Sequence, residues 1–393
     1  MKCYSTNNKN HHVTFADAIM KGMAEDNGLF MPEEIPLLPQ NFFSTLHTLP
    51  FEEIAFQVSE KFLSDDFSAS ELRHMIDHAL NFKIPLVKLS ENLYALELFH
   101  GPTLSFKDVG TRFLAQLLSH FVSRTKQKLI ILVATSGDTG GAVAHAFHKV
   151  PLITVIVLYP KGMVSAFQEK QFTTLGNNIV AIEVSGTFDD CQKLAKTAFL
   201  TPELNQKLFL SSANSINIGR LIPQTFYYFH AYAQLKNAGL PVCFSVPSGN
   251  LGNLTAGLIA KRMGLLVSKF AAPTNRNDSF PRYLEAGTFQ SAATIKTISN
   301  AMDVGNPSNI QRIFDLYNHE VERIRQDIVS ESFSDDQTRQ AMEELQRLYG
   351  YKADPHSGIG YLGLKEVPEY QSGKTIGIFL ATAHPMKTKV QVA

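Results

Sequence analysis

Hydrophobic and polar positions change rhythm along the chain. In residues 1–90 the apolar positions fall in short helical stripes. The first is Phe15, Ala18, Ile19 and Gly22, and two longer stretches follow over roughly 51–63 and 70–80. A proline-punctuated connector, Met31-Pro-Glu-Glu-Ile-Pro-Leu-Leu-Pro39, separates the stripes, and strand signals are few. This pattern predicts an N-terminal, mainly helical domain. From about residue 91 an alternation takes over. Apolar, β-rich runs at 129–133, 152–158, 179–184, 208–211, 242–246 and 374–380 are separated by helical patterns. Those patterns include Val109–Val122, Gly141–His148, Phe188–Phe199, Ile222–Leu235 and Thr255–Met263. Strand–helix–strand alternation predicts an α/β fold with parallel sheets covered by helices. Residues 306–350 read as helical and charged, with Val321, Ile324, Ile328, Met342, Leu345 and Leu348 as their apolar positions. The expected division is 1–90, a first α/β domain over 91–220 and a second over 221–393, with sheet boundaries interleaved.

One stretch joins the two rhythms, Glu97-Leu-Phe-His-Gly-Pro-Thr-Leu-Ser-Phe-Lys-Asp-Val-Gly-Thr-Arg-Phe113. Gly101-Pro102 breaks the chain, and Phe106, Val109, Phe113, Leu114, Leu117, Leu118 and Phe121 then recur with a helical period. Ser105 and Asp108 read as a capping box, with Asp standing where Glu or Gln is preferred. Lys107 is thereby expected in the first turn, where the helix macrodipole disfavours a cation. An amine so placed, between Phe106 and Val109, suits a nucleophile or base with a lowered pKa. On this stretch alone, a surface lysine on an ordinary helix is the plainer alternative.

Parallel sheets bind ligands beyond the carboxyl ends of their strands. Ile130–Gly141 is a strand followed by a turn in which Thr135, Ser136 and Thr139 supply hydroxyls, while Gly137, Gly140 and Gly141 let a ligand approach the backbone. Val242–Asn253 repeats the theme, and Ser248-Gly249-Asn250-Leu251-Gly252-Asn253 suits a nest of N–H donors around a phosphate. Asn214, Ser215, Asn217 and Arg220 follow a third strand, and Arg grips phosphate through two parallel hydrogen bonds. Thr382 lies at the exit of the last strand. Taken singly, each also fits a ligand-free turn, a helix cap, a solvated Arg or plain β propensity.

Composition narrows the classes. A chain of 393 residues has room for two or three domains. Its 36 basic residues offset 36 acidic ones, so no net field recommends nucleic acid or an anionic membrane as partner. Cys3, Cys191 and Cys243 are too few and scattered for a disulfide framework or a zinc site. The first residues lack an apolar signal region, and the longest apolar runs are strand-sized, so a cytoplasmic protein is expected. Gly358-Ile-Gly-Tyr-Leu-Gly363 matches a dinucleotide fingerprint as a string, but no strand precedes it and no acidic residue follows at the required distance. Gly373-Lys374-Thr375 ends like a P-loop, yet Pro368 takes the first glycine position. Capping and surface roles suffice for the histidines, so no metal site is expected, and no Gly-x-Ser-x-Gly elbow occurs.

Taken together, the unusual stretches resemble the threonine synthase family, pyridoxal-phosphate enzymes of the tryptophan-synthase-β fold type. The resemblance rests on His-Gly-Pro-Thr-Leu-Ser-Phe-Lys-Asp at 100–108, Ala-Thr-Ser-Gly-Asp-Thr-Gly at 134–140 and Ser-Ala-Asn-Ser-Ile-Asn at 212–217. Pro-Ser-Gly-Asn-Leu-Gly-Asn at 247–253 and Thr-Ala-His-Pro at 382–385 complete it, with Gly28–Pro32 and Ser299–Val304 as further family segments. It implies two parallel-sheet domains of the fold-type II kind. By resemblance, Lys107 is the lysine that forms the Schiff base with pyridoxal 5'-phosphate, Gly249, Asn250, Leu251, Gly252 and Asn253 hold its phosphate, and Thr382 meets the pyridine nitrogen. The Ser136, Asp138 and Thr139 loop is similar to the one that grips the substrate carboxylate and approaches its phosphate. Asn214, Ser215 and Arg220 resemble the set that binds the substrate phosphate.

The implied reaction takes O-phospho-L-homoserine and water to L-threonine and phosphate, with no nucleic-acid or membrane partner, in a monomer or homodimer. A serine or threonine dehydratase of the same cofactor fold is the alternative within enzymes, and a non-catalytic cofactor-binding relative the alternative outside them. Two departures stand out. Asp138 occupies a position where some relatives have Asn, and only eight residues follow Pro385, where related chains usually continue for several tens. The short end bears on stability and closure of the site more than on its chemistry.

Overall fold

Apolar runs without a polar face become buried parallel strands, as strands covered on both sides require. A computed structural model describes residues 1–235 and 241–387. The chain groups into two compact units. The first comprises Met1–Pro36, Pro50–Phe82 and Gly101–Phe226, and the second comprises Leu37–Leu49, Lys83–His100 and the chain from Tyr227 onward.

The first unit holds a four-stranded, all-parallel sheet in the order Ile179–Val184, Ile153–Pro160, Leu129–Ala134, Phe209–Ser212. Leu129 stands opposite Ile153 on one side and Phe209 on the other. The helix Lys107–Thr125 buries Val109, Phe113, Leu114, Leu117, Leu118 and Phe121, the stripe expected from the sequence. The second unit holds a six-stranded sheet in the order Ile328–Val329, Val267–Ala271, Val242–Ser245, Ile376–Ala381, Leu93–Glu97, Leu86–Lys88. Its strands are parallel except for the last pair, an antiparallel ribbon.

The N-terminal part differs from the mainly helical domain expected over 1–90. Its helices Phe15–Lys21, Phe51–Leu63 and Ala69–Ala79 are present. They are joined by a three-stranded antiparallel sheet with Lys2–Ser5 between Asn8–Thr14 and Phe30–Pro32. Pattern alone does not reveal these strands. Lys2–Ser5 is too short to establish an alternation, and Asn8–Thr14 is polar and mostly exposed. Phe30–Pro32 is a wholly buried triplet ending on a proline, which an edge strand tolerates. Most of this region groups with 101–226, and one tie is the Asn217 Nδ2 bond to the Ile19 carbonyl at 2.9 Å. Residues 83–100 group with the second sheet because Leu93–Glu97 pairs there with Ile376–Ala381. The described units interleave along the chain.

No described helix is long and apolar enough to cross a membrane. The string Gly358–Gly363 lies inside the helix Pro355–Lys365, where its glycines serve packing. A Cβ on Gly363 would fall 2.5 Å from Pro273 Cγ and 2.7 Å from Ser245 Oγ. Gly363→Ala is expected to cost about 1–3 kcal/mol through overpacking, read as a lower urea midpoint. An unchanged midpoint would mean that this helix can shift away from its sheet.

Candidate active site

Lys107 is the first residue of its helix, as expected, but the capping box does not form. Phe106 precedes it without a side-chain cap, and Ser105 Oγ accepts only a long bond from the Lys107 N–H at 3.4 Å. The short Asp108 side chain turns back instead to Thr103, accepting from its N–H at 2.8 Å and its hydroxyl at 2.6 Å. Those bonds brace the loop leading to the lysine. Lys107 Nζ lies 3.4 Å from Asp138 Oδ2, with the two side chains 12% and 4% exposed. It also lies over the Phe106 ring, 4.7 Å from the centroid. A carboxylate at this range favours the charged amine, opposing the effect of the helix end.

Asp138 opens the next helix, Asp138–Phe147. In the turn before it, Thr135 is a bracing residue rather than a ligand. Its hydroxyl accepts from the N–H groups of Gly137 at 2.9 Å and Gly140 at 2.8 Å. Ser136 and Thr139 are half-buried and keep the hydroxyls available to a ligand. The neighbouring strand exit is fastened to this one, because Asn214 Nδ2 donates to the Ala134 carbonyl at 2.9 Å. Asn217 caps the short helix Ile218–Leu221 through the Gly219 N–H. Arg220 is buried, and its Nη1 donates to the Ala213 carbonyl at 2.7 Å. Ser215 sits half-buried between them. The first unit therefore gathers Ser136, Asp138, Thr139, Asn214, Ser215 and Arg220 at the carboxyl ends of two adjacent parallel strands. Hydroxyls and a guanidinium suit an anion; the Asp138 carboxylate repels one.

The second unit carries the other loop. Gly249–Asn253 follows the strand Val242–Ser245, and Thr382 follows its parallel neighbour Ile376–Ala381, so both lie at the same end of the sheet. Leu251 is left-handed, with φ of 58°, and precedes the helix Gly252–Arg262. A left-handed residue at a helix start turns successive N–H groups to one side. Gly249 leaves no space for a side chain, since a Cβ would lie 2.7 Å from Met302 Cα. Asn250 is anchored through its carbonyl, which accepts from Asn309 Nδ2 at 3.1 Å.

Asn253 gives the clearest sign of a ligand. Its Oδ1 accepts from the hydroxyls of Tyr227 at 2.6 Å and Tyr228 at 2.8 Å, while its buried Nδ2 makes no hydrogen bond. Leaving such a donor unsatisfied costs roughly 1–3 kcal/mol, and a phosphate oxygen would satisfy it. The cradle thus fits a phosphate-bearing cofactor.

Sequence reasoning missed the residues that support these loops. Tyr227 and Tyr228 stand together in an apolar helix, and buried phenols need partners, which is a usable signal. His356 Nε2 accepts from the Ala301 N–H at 3.2 Å, and its Nδ1 lies 2.6 Å from Asp354 Oδ2, steadying the segment against Gly249. Asp303, in that same segment, accepts from Thr297 and Asn275, and burial pushes its carboxyl up to about 6. Gln168, whose Nε2 donates to Asp138 Oδ1 at 2.9 Å, left no local signal of that contact.

Comparison with known proteins agrees with this chemistry. Residues 2–80 match the family model described as threonine synthase N terminus, and 80–381 match that of pyridoxal-phosphate dependent enzymes. A threonine synthase from Haemophilus influenzae is 46% identical over 393 residues, spanning 100% of this chain and 90% of that protein. The crystal structure of threonine synthase from Escherichia coli has a TM-score of 0.92 at 42% identity, over 98% of this chain and 89% of that one. A pyridoxal-phosphate-bound threonine synthase from Brucella melitensis has a TM-score of 0.91 at 34% identity, over 98% of this chain and 89% of that one. The two sheets are those of a fold-type II enzyme, and the chain belongs to the threonine synthase family of pyridoxal-phosphate-dependent enzymes.

Proposed function

We propose that the chain converts O-phospho-L-homoserine and water to L-threonine and phosphate, with pyridoxal phosphate as its cofactor. The observation that carries this reading is the presence of two separate anion-binding constructions. One is the N–H nest at Gly249–Asn253 with the open Asn253 donor. The other is the set of Ser136, Thr139, Asn214, Ser215 and Arg220 at the exits of neighbouring strands in the first unit. A dehydratase acting on serine or threonine needs the nest and a place for the substrate carboxylate, but has no use for Asn214, Ser215 and Arg220 as a second phosphate set, because its substrate carries no phosphate.

Lys107 would hold the cofactor through its amine, and that amine, when free, would move protons at the substrate Cα and Cβ. Gly249, Asn250, Leu251, Gly252 and Asn253 would hold the cofactor phosphate, and Thr382 would offer its hydroxyl to the ring nitrogen. When bound, the cofactor supplies the electron sink that acidifies those carbon-bound protons. Ser136 and Thr139 orient the substrate carboxylate. Asn214, Ser215 and Arg220 hold the phosphate that leaves Cγ, after which water adds at Cβ. The substrate is a small charged metabolite, and we place the enzyme with it in the cytoplasm, as a monomer or homodimer.

Lys107→Ala is expected to keep the fold and lose covalent cofactor. Borohydride reduction of the wild-type enzyme and peptide mass spectrometry should put the label on Lys107, and a label on another lysine removes its role. Gly249→Val should weaken cofactor retention in equilibrium dialysis, because the side chain collides with Met302. Thr382→Val should keep the cofactor while changing its absorbance and the rate. Were both variants to alter substrate binding alone, the loop assignment would be wrong.

Arg220→Ala should retain cofactor but lose on the order of 2–5 kcal/mol in kcat/KM for O-phospho-L-homoserine, the range for truncating one partner of a buried charge pair. Arg220→Lys should recover part of that, since a point charge lacks the bidentate fork. Slow turnover of L-serine should change little. Equal losses on both substrates would make Arg220 structural and favour the dehydratase.

A further inference from the structure

Resting on the assignment of Lys107 above, we propose that Asp138 steadies the proton Lys107 carries during turnover, and that Gln168 is the positioning residue that turns Asp138 toward it. The geometry is a relay from a helix cap to an amine. Gln168 is buried in the first turn of the helix Ala166–Thr173 and closes a capping box with Ser165. The Ser165 N–H donates to Gln168 Oε1 at 3.4 Å, and the Gln168 N–H donates to Ser165 Oγ at 3.2 Å. With its carbonyl end engaged by the cap, the amide points Nε2 at Asp138 Oδ1, 2.9 Å away. Asp138 Oδ2 is thereby turned to Lys107 Nζ at 3.4 Å. The reverse amide orientation would set a carbonyl against a carboxylate. Gly137, with φ of 136°, admits the arrangement, because a Cβ there would lie 2.5 Å from Gln168 Cδ.

Lys107 takes a proton from one substrate carbon and delivers it to another, and in between it is an ammonium ion. The ionised Asp138 stabilises that ion without accepting its proton, and the Gln168 donor favours the ionised carboxylate. Asp138 is therefore a counter-ion to the lysine rather than a ligand for the substrate carboxylate, which it would repel. Other charges near the lysine helix are engaged elsewhere. Asp108 is bound to Thr103, and Arg220 reaches the Ala213 carbonyl. Glu71 faces His120 and Arg124 towards the far end of the helix, Arg112 donates to the carbonyls of His78 and Ala79, Asp17 receives the Thr14 hydroxyl, and Lys21 pairs with Glu25.

Two variants test this. In cofactor-free protein, Asp138→Asn should let acetic anhydride acylate Lys107 about tenfold faster at one fixed pH, since an opposite charge at this range favours the protonated, unreactive amine. Peptide mass spectrometry reads the rate. Gln168→Glu keeps the capping box, in which Glu is favoured, so its thermal midpoint should stay near wild type at acid pH, where the carboxyl is protonated. Protonated, the introduced carboxyl still donates to Asp138; ionised, it repels it. The kcat of Gln168→Glu should approach wild type at the acid end of its profile and fall about tenfold or more as pH rises, with KM nearly constant. Unchanged acylation in Asp138→Asn, a wild-type pH profile in Gln168→Glu, or a rise in KM at constant kcat overturns the proposal. A borohydride label on another lysine would instead remove the reading beneath it, so the two failures are distinguishable.

Discussion

A cation at the start of a helix sits in an unfavourable field, and the first unit is arranged around correcting that for Lys107. The correction comes from the start of the next helix, where a carboxylate is well placed. Asp138 therefore answers two positive ends at once, that of its own helix and the lysine on its neighbour. Because both residues open helices, their separation depends on the packing of those helices. Asp108 bonded to Thr103, Thr135 bonded to Gly137 and Gly140, and Gln168 bonded to Asp138 all limit how the turns can move.

The second unit uses helix starts in the complementary way. There the donors are backbone N–H groups and one carboxamide, with Tyr227 and Tyr228 fixing which end of the amide faces the cradle. Parallel strands send all such starts to one end of the sheet, so chemistry gathers at the carboxyl ends without long excursions of the chain.

The sequence made the strand cores and the turns legible because their signals are local. Leu129–Ala134 and Ile376–Ala381 are unbroken apolar runs, and glycine-rich turns next to hydroxyls announce ligand approach. What stayed hidden depends on partners distant in the chain. Val267–Ala271 carries Lys269 within its strand, and Asn8–Thr14 is polar throughout most of its length, so neither displays a strand period. Gln168 reads as the third residue of an ordinary capping box, and only the fold shows that its other end meets Asp138. The capping box expected from Ser105 and Asp108 failed for a local reason instead: Thr103, just before the helix, offers two donors that outcompete the helix end.

The pairing of Leu93–Glu97 with Ile376–Ala381 has a consequence for how the chain is made. On the ribosome, Leu93–Glu97 emerges with only the short partner Leu86–Lys88 beside it, and its other edge waits until Ile376–Ala381 has been synthesised. The parallel sheet of the first unit has all four of its strands by Ser212, so that unit can close while the second is still open. Long-range parallel pairing is slow, and an apolar ribbon with a bare edge attracts other chains in the interval. Nascent chains should therefore be most prone to aggregation, and most dependent on chaperones, between completion of the first unit and the arrival of the last strand.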